Sequence, residues 1–167
     1  MRLNVKKCKV MHFGSNNPEA SYNMFDDDGD RCDLEVSHVE RDLGVLVSDD
    51  LDWSEQVAAV VSRANRVLGM LKRAFVCRDV GLWRDLYVAL VRPHLEYAVQ
   101  VWNPRWMRDI ARIEAVQRRA TKIPTVLSGL PYEERLTRMG LTTLEDRRVR
   151  GDLIGMYKVF TGRDSVA

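Results

Sequence analysis

Asp52-Trp53-Ser54-Glu55-Gln56-Val57-Ala58-Ala59-Val60-Val61-Ser62-Arg63-Ala64-Asn65-Arg66-Val67-Leu68-Gly69-Met70-Leu71-Lys72-Arg73-Ala74-Phe75 is the stretch that decides the fold. Val57, Val60, Val61, Ala64, Leu68, Leu71 and Phe75 recur at steps of three and four, the apolar stripe of one long helix. Asp52, with Glu55 three residues on, makes a capping pair for its start. Before this stretch the pattern is short and β-prone, and after it the helical period persists.

Upstream, Cys8–Phe13 is a compact apolar run closed by Gly14 and the turn-forming Ser15-Asn16-Asn17-Pro18. Tyr22–Phe25 reads as a strand, Asp26–Asp30 as an acidic turn, and Cys32–Val36 as the return strand. Asp28-Gly29 at the tip suits a tight hairpin whose two central residues both need positive φ. Asp42–Val47 reads as a further strand, ended by Ser48-Asp49-Asp50. Downstream, Asp79 caps a second helix with Trp83, Leu86, Tyr87, Leu90 and Val91 inward. Pro93 removes a backbone donor, so the helix kinks or restarts there, carrying Leu95, Ala98, Val101 and Trp102. A third helix spans 108–122 with Ile110, Ile113, Val116 and Ala120 inward. A fourth lies between Pro131 and Gly140, and the last runs from Thr142, boxed with Glu145, to Gly162. The expected fold class is α+β: a small antiparallel β unit over 1–52 followed by a helical bundle over 53–167.

The chain has 167 residues, 46% hydrophobic and 30% charged, which excludes low-complexity and wholly disordered classes. No apolar run reaches the ~18–20 residues of a membrane span, and the first residues hold no apolar leader core. Three scattered cysteines, Cys8, Cys32 and Cys77, fit neither a disulfide framework nor a zinc site and favour a reducing compartment. The expected location is therefore intracellular, nuclear or cytoplasmic, without a membrane partner. The net charge of +2 hides a division: residues 1–52 carry −6 and residues 53–167 carry +8. Of 26 basic residues 20 are arginine, whose planar fork matches phosphate oxygens in pairs. Solvated helix faces with paired charges are the alternative reading of that excess.

Several blocks carry a likeness. Leu3-Asn4-Val5-Lys6-Lys7-Cys8-Lys9-Val10-Met11-His12-Phe13-Gly14 resembles the segment after the catalytic strands in reverse transcriptases of non-LTR (LINE) retrotransposons. Glu40-Arg41-Asp42-Leu43-Gly44-Val45 resembles their primer-grip hairpin. Ala64–Gly69, Leu90–Trp102, Val116–Lys122, Pro131–Leu136 and Arg150–Ile154 resemble the thumb region of the CR1 and jockey-like branch. One departure is Lys122-Ile123-Pro124, where relatives carry an extra apolar residue.

The resemblance implies an RNA-directed DNA polymerase that uses Mg2+, with a palm remnant over 1–52 and a thumb-like domain over 53–167. In that family a Tyr/Phe-x-Asp-Asp turn precedes the Asn-x-x-Lys-Cys-Lys block, which opens here within five residues of Met1. The chain is accordingly expected to be a truncated polymerase fragment, lacking the catalytic carboxylates and inactive on its own, with no cofactor of its own. Phe25-Asp26-Asp27-Asp28 matches the turn formally but follows that block and reads as a solvated hairpin loop. The same acids fail as a calcium loop, because Arg31 stands where glycine is needed and Ser37 where the bidentate Glu belongs.

The expected partner is an RNA/DNA template–primer duplex, bound weakly and with salt sensitivity. Lys7 matches a lysine near the incoming nucleotide, and Lys9 lies beside it. Leu43 and Gly44 match the primer grip, where glycine admits a close backbone. Arg63, Arg66 and Arg73 lie on one side of the first helix opposite its apolar stripe, and Arg108, Arg112, Arg119 and Lys122 on one side of the third. Such faces suit duplex phosphates. Trp83, Trp102, Trp106, Tyr87 and Tyr97 read as core rather than stacking platforms, except Trp106 between Arg105 and Arg108, which reads as exposed. The alternatives are a non-enzymatic nucleic-acid- or protein-binding module derived from a retroelement, or an unselected remnant.

Overall fold

The computed structural model describes residues 4–14 and 16–163, without the side chain of Lys6. Leu3 of the first resemblance block and Ser15 of the predicted turn lie outside the described residues. The chain divides into two compact units, Met1–Glu55 and Gln56–Ala167. Small sheets in the first and helices in the second make a mixed α+β protein. Among the described residues no helix is long and apolar enough to cross a membrane.

The first unit holds β1 (Lys9–Val10), β2 (Asn23–Phe25), β3 (Arg31–Asp33), β4 (Glu35–Val36), β5 (Val39–Asp42) and β6 (Val45–Ser48). β2–β3 and β5–β6 are antiparallel, as expected, but β1 pairs with β4 in parallel. Two reversals of the chain, one of them the β2–β3 turn, return it to β1 in its original direction. Two predicted strands shorten. A 3-10 turn over Val5–Lys7, closed by the Cys8 amide on the Val5 carbonyl, trims the Cys8–Phe13 run. The predicted return strand breaks at Leu34, whose amide still donates to Tyr22, before β4 shifts to the edge of β1.

The two turns differ from their sequence reading. Gly29 has φ +88°, but Asp28 does not share the left-handed region. Gly29 donates to the Asp26 carbonyl and the Asp26 amide to that of Asp30, which is a three-residue loop with a left-handed glycine at its end. The predicted strand Asp42–Val47 is interrupted: Asp42 ends β5 and pairs with Val45, Val45–Val47 lie in β6, and only Leu43-Gly44 leave the strand to form the hairpin turn. Both turn residues have positive φ, 43° and 87°, the requirement of the type I′ turn. A leucine there costs about 1–2 kcal/mol relative to glycine, since its Cβ crowds the next carbonyl.

The second unit is helical: α1 (Ser54–Ala74, whose first two residues belong to the first unit), α2 (Val80–Leu86), a π-helical turn (Tyr87–Val91), α3 (Arg92–Glu96), α4 (Val99–Trp102), α5 (Met107–Ala120), α6 (Tyr132–Met139) and α7 (Leu144–Phe160). On α1, Val57, Val60, Ala64, Leu68 and Leu71 are buried as the stripe predicts, while Phe75 is exposed beyond the helix end. Asp52 accepts from the amide and hydroxyl of Ser54, and Asp79 caps α2 through the Leu82 amide.

Trp83, Tyr87, Val91 and Leu95 are buried at uniform four-residue steps. Four residues overshoot one α-helical turn, and the wider π turn absorbs the drift. There the Arg92 amide donates to the Tyr87 carbonyl five residues back, a pattern that accommodates the missing donor of Pro93. The shift leaves Leu90 exposed instead of inward. The chain breaks again at Tyr97-Ala98, where Ala98 has φ +51°. Val99 is therefore buried beside Trp102, not the predicted Ala98 and Val101. Both buried indoles are satisfied, Trp83 on the Cys77 carbonyl (2.7 Å) and Trp102 on that of Tyr97 (2.8 Å). Pro131 and a left-handed Gly140 bound α6 as read. The cap of α7 lies one residue later than predicted, on Thr143, which accepts from the Asp146 amide.

One polar cluster joins these helices. Gln117 on α5 is fully buried and accepts from the Tyr87 hydroxyl (2.7 Å). Its amide nitrogen donates to the Tyr132 hydroxyl and the Thr142 carbonyl, both at 2.9 Å. Tyr132 in turn donates to Glu114, whose other oxygen accepts from the Leu144 amide at the first turn of α7 (3.0 Å). Burial pushes the phenols of Tyr87 and Tyr132 well above the ordinary range, and Glu114 reinforces this for both.

Gln117→Leu strands the Tyr87 hydroxyl and the Thr142 carbonyl, so it should destabilise by about 2–4 kcal/mol, read as a lower urea midpoint. A midpoint within error of the parent contradicts this. The unfolded chain releases the two phenolic protons above about pH 10 while the folded chain holds them. Stability should be fully present below that pH and fall above it by up to about 1.4 kcal/mol per pH unit for each phenol. Urea unfolding at pH 9 and pH 11 measures it.

Candidate nucleic-acid interface

The sequence-selected cations fall into distinct settings. Lys7 is exposed at the end of the 3-10 turn. Lys9 on β1 pairs with Glu40 on β5 at 2.8 Å, which raises its pKa and lowers that of the glutamate. Leu43, 85% exposed, stands with Gly44 at the tip of the β5–β6 hairpin. These four residues belong to the first unit.

In the second unit, Arg63, Arg66 and Arg73 are exposed on α1, and none has an ion-pair partner among the described residues. Arg108 and Arg112, at the start of α5, both reach Asp109, a carboxylate only 1% exposed, at 3.6 and 3.2 Å. Their charge serves to neutralise a buried acid, and they stand apart from the other end of the helix.

That other end forms a groove with α1. Arg119 donates to the Asn65 side chain across the two helices (2.9 Å), which fixes its guanidinium. Lys122, just past α5, and Lys72, two turns beyond Asn65, line the same groove, of about 300 Å3. Leu68 and Ile123 give it apolar walls, and Gly69 leaves its middle open. Among the described residues no carboxylate lines it. Neither Lys72 nor Lys122 has an ion-pair partner among the described residues. Lys72, Asn65 and Gly69 escaped the sequence reading. Their signal was the 65-69-72 row, but only helix packing shows which side of α1 meets α5.

Among the aromatics, Trp83, Trp102 and Tyr87 are core, and Trp106 is exposed with Arg105 stacked over it at 5.0 Å. Tyr97, read as core, is 58% exposed because the break at Ala98 turns it outward. Arg118 and Arg135 both lie against the Tyr132 ring, at 3.9 and 5.5 Å, and burial draws the Arg135 pKa down.

The residues present do not form a seat for the magnesium that the resemblance implies. Among the described residues no three His, Cys, Asp or Glu side chains converge to hold a metal ion. Asp26 Oδ1 in the acidic loop accepts from the amides of Asp28 and Asp30 at 3.0 and 2.9 Å, a turn-forming role. No metal-dependent step is assigned to these residues.

Comparison with known proteins gives one weak relative. An uncharacterized protein of Caenorhabditis elegans is 26% identical over 126 residues, covering 73% of this chain. The chain spans 63% of that relative's length. No family model matches the chain, and no solved structure matches it.

Asn65→Ala should release Arg119 without changing the net charge or the core. The Arg119 guanidinium protons, resolved by NMR at low temperature, should then exchange faster with solvent than in the parent, and equal rates contradict the Asn65 clamp.

Proposed function

We propose that this chain is the template–primer-binding portion of a LINE-type reverse transcriptase. The helical unit acts as the thumb that grips duplex phosphates, and the β unit as the end of the palm bearing the hairpin at Leu43-Gly44. The observation that carries the reading is the distribution of cations. Arg63, Arg66, Lys72, Arg73, Arg119 and Lys122 stand on α1 and the end of α5 without a carboxylate partner among the described residues. The blocks resembling that family's thumb fall on α1, α3–α4, α5, α6 and α7. Sequence-independent phosphate contact is the chemistry such a surface offers. Nucleotide joining, with its magnesium, would be the work of carboxylates other than those described. The protein would act inside the cell, where template and primer are.

The reading is tested with a labelled RNA–DNA hybrid across a salt series. If about five cations meet phosphates, log affinity should fall with log salt at a slope of about −4.5. Arg66→Gln with Arg73→Gln should make the slope about 1.8 less steep, at roughly 0.9 per contact. A flat salt response contradicts the reading. The pure chain should also fail to extend a homopolymer template–primer with Mg2+, and robust extension would overturn the assignment of catalysis elsewhere.

A second reading, a protein-binding module derived from a retroelement, is favoured by the outer face of α7. Val149, Leu153, Met156, Tyr157 and Phe160 are each more than half exposed there. A salt-independent partner captured through that face would support it over the first.

A further inference from the structure

The groove between α1 and the end of α5 is more than a patch of like charge. Three cations line it without one acid among the described residues, a costly arrangement in the absence of a counter-charge. Arg119 is held in place by Asn65, so its planar fork is oriented before any ligand arrives. Lys72 stands on the opposite wall, and Lys122 lies three residues beyond Arg119. Gly69 sits between them on α1, and a Cβ built there meets nothing within 4 Å. A glycine within a helix costs up to about 1 kcal/mol relative to alanine, with no packing need for it here. Its effect is to keep the middle of the groove open. Leu68 and Ile123 supply the apolar contact that a sugar ring, but not a free inorganic ion, would use.

We propose that this groove seats the sugar–phosphate backbone of one nucleic-acid strand. A phosphate is held among Arg119, Lys122 and Lys72, and the adjoining sugar lies against Leu68 and Ile123 over Gly69. The inference rests on the nucleic-acid reading above and goes further, since it makes one built groove, rather than a diffuse basic face, the chief point of contact. Binding through it is independent of base sequence, because the donors meet only the backbone.

Gly69→Leu separates the two ideas, because it fills the groove, alters no charge and favours the helix. Anisotropy of a labelled 20-bp RNA–DNA hybrid is measured from 50 to 200 mM salt, with urea unfolding as a check on folding. The groove predicts that Gly69→Leu binds at least ten-fold more weakly, with a slope less steep by about 2–3, and unfolds at a midpoint no lower than the parent's. Lys72→Gln and Lys122→Gln should each remove about 0.9 from the slope. If the parent binds steeply with salt and Gly69→Leu matches it, the groove is overturned while the wider reading stands. If the parent itself shows no salt-dependent binding, both fall. Should Gly69→Leu not fold, Gly69→Met decides, since it also fills the groove without altering charge: binding at least ten-fold weaker supports the groove, and binding equal to the parent's overturns it.

Discussion

The helical unit depends on one buried amide. Gln117 accepts from Tyr87 beside α2 and donates to Tyr132 on α6 and to the Thr142 carbonyl just before α7. Glu114, one turn earlier on α5, takes the Tyr132 proton donor and the first free amide of α7. Each of these groups is costly to bury alone, and together they are satisfied. The cluster thus selects a single arrangement of four helical segments where apolar packing by itself would tolerate several. Glu96 on α3 adds a two-pronged contact from Arg147, and Asn103 binds Asp152 at 2.9 Å, so the breaks around α4 are also tied to α7.

Because Gln117 fixes the rotation of α5, it fixes what α5 shows outward. With Ile113, Val116, Gln117 and Ala120 buried, Arg119 and Lys122 lie toward α1, where Asn65 meets the former. The arginines of α5 are thereby divided. Arg108 and Arg112 compensate the buried Asp109, Arg118 stacks on Tyr132, and Arg119 remains available for a ligand. A count of positive residues assigns them all to one surface, whereas the structure leaves a smaller set without a carboxylate partner among the described residues.

Much of the architecture was legible from periodicity. The α1 stripe, the Asp79 cap, and the Pro131–Gly140 bracket follow from side-chain spacing and local capping chemistry alone. The failures share a cause in backbone geometry that periodicity does not encode. The π turn before Pro93 and the left-handed Ala98 change the phase of the buried face, which moved Leu90, Tyr97 and Val101 outward and Val99 inward. Thr142 and Thr143 offer equivalent hydroxyls, and only the Asp146 contact selects the second. Leu43 in a left-handed turn runs against residue preference, so periodicity alone reads one strand where Leu43-Gly44 turn between β5 and β6, while the resemblance of Glu40–Val45 to a hairpin anticipates the turn. Of the candidate site, the α1 and α5 arginines were visible in sequence, but Lys72 and Gly69 acquire meaning only when the two helices meet.

In the proposed function the α1–α5 cations, and not the apolar face of α7, meet the macromolecular partner. Lysine footprinting by acetylation, read by mass spectrometry with and without saturating RNA–DNA hybrid, tests it directly. Lys72 and Lys122 should lose most of their reactivity on adding duplex while Lys158 on α7 keeps its own. Unchanged reactivity at Lys72 and Lys122, or protection confined to Lys158, would contradict it.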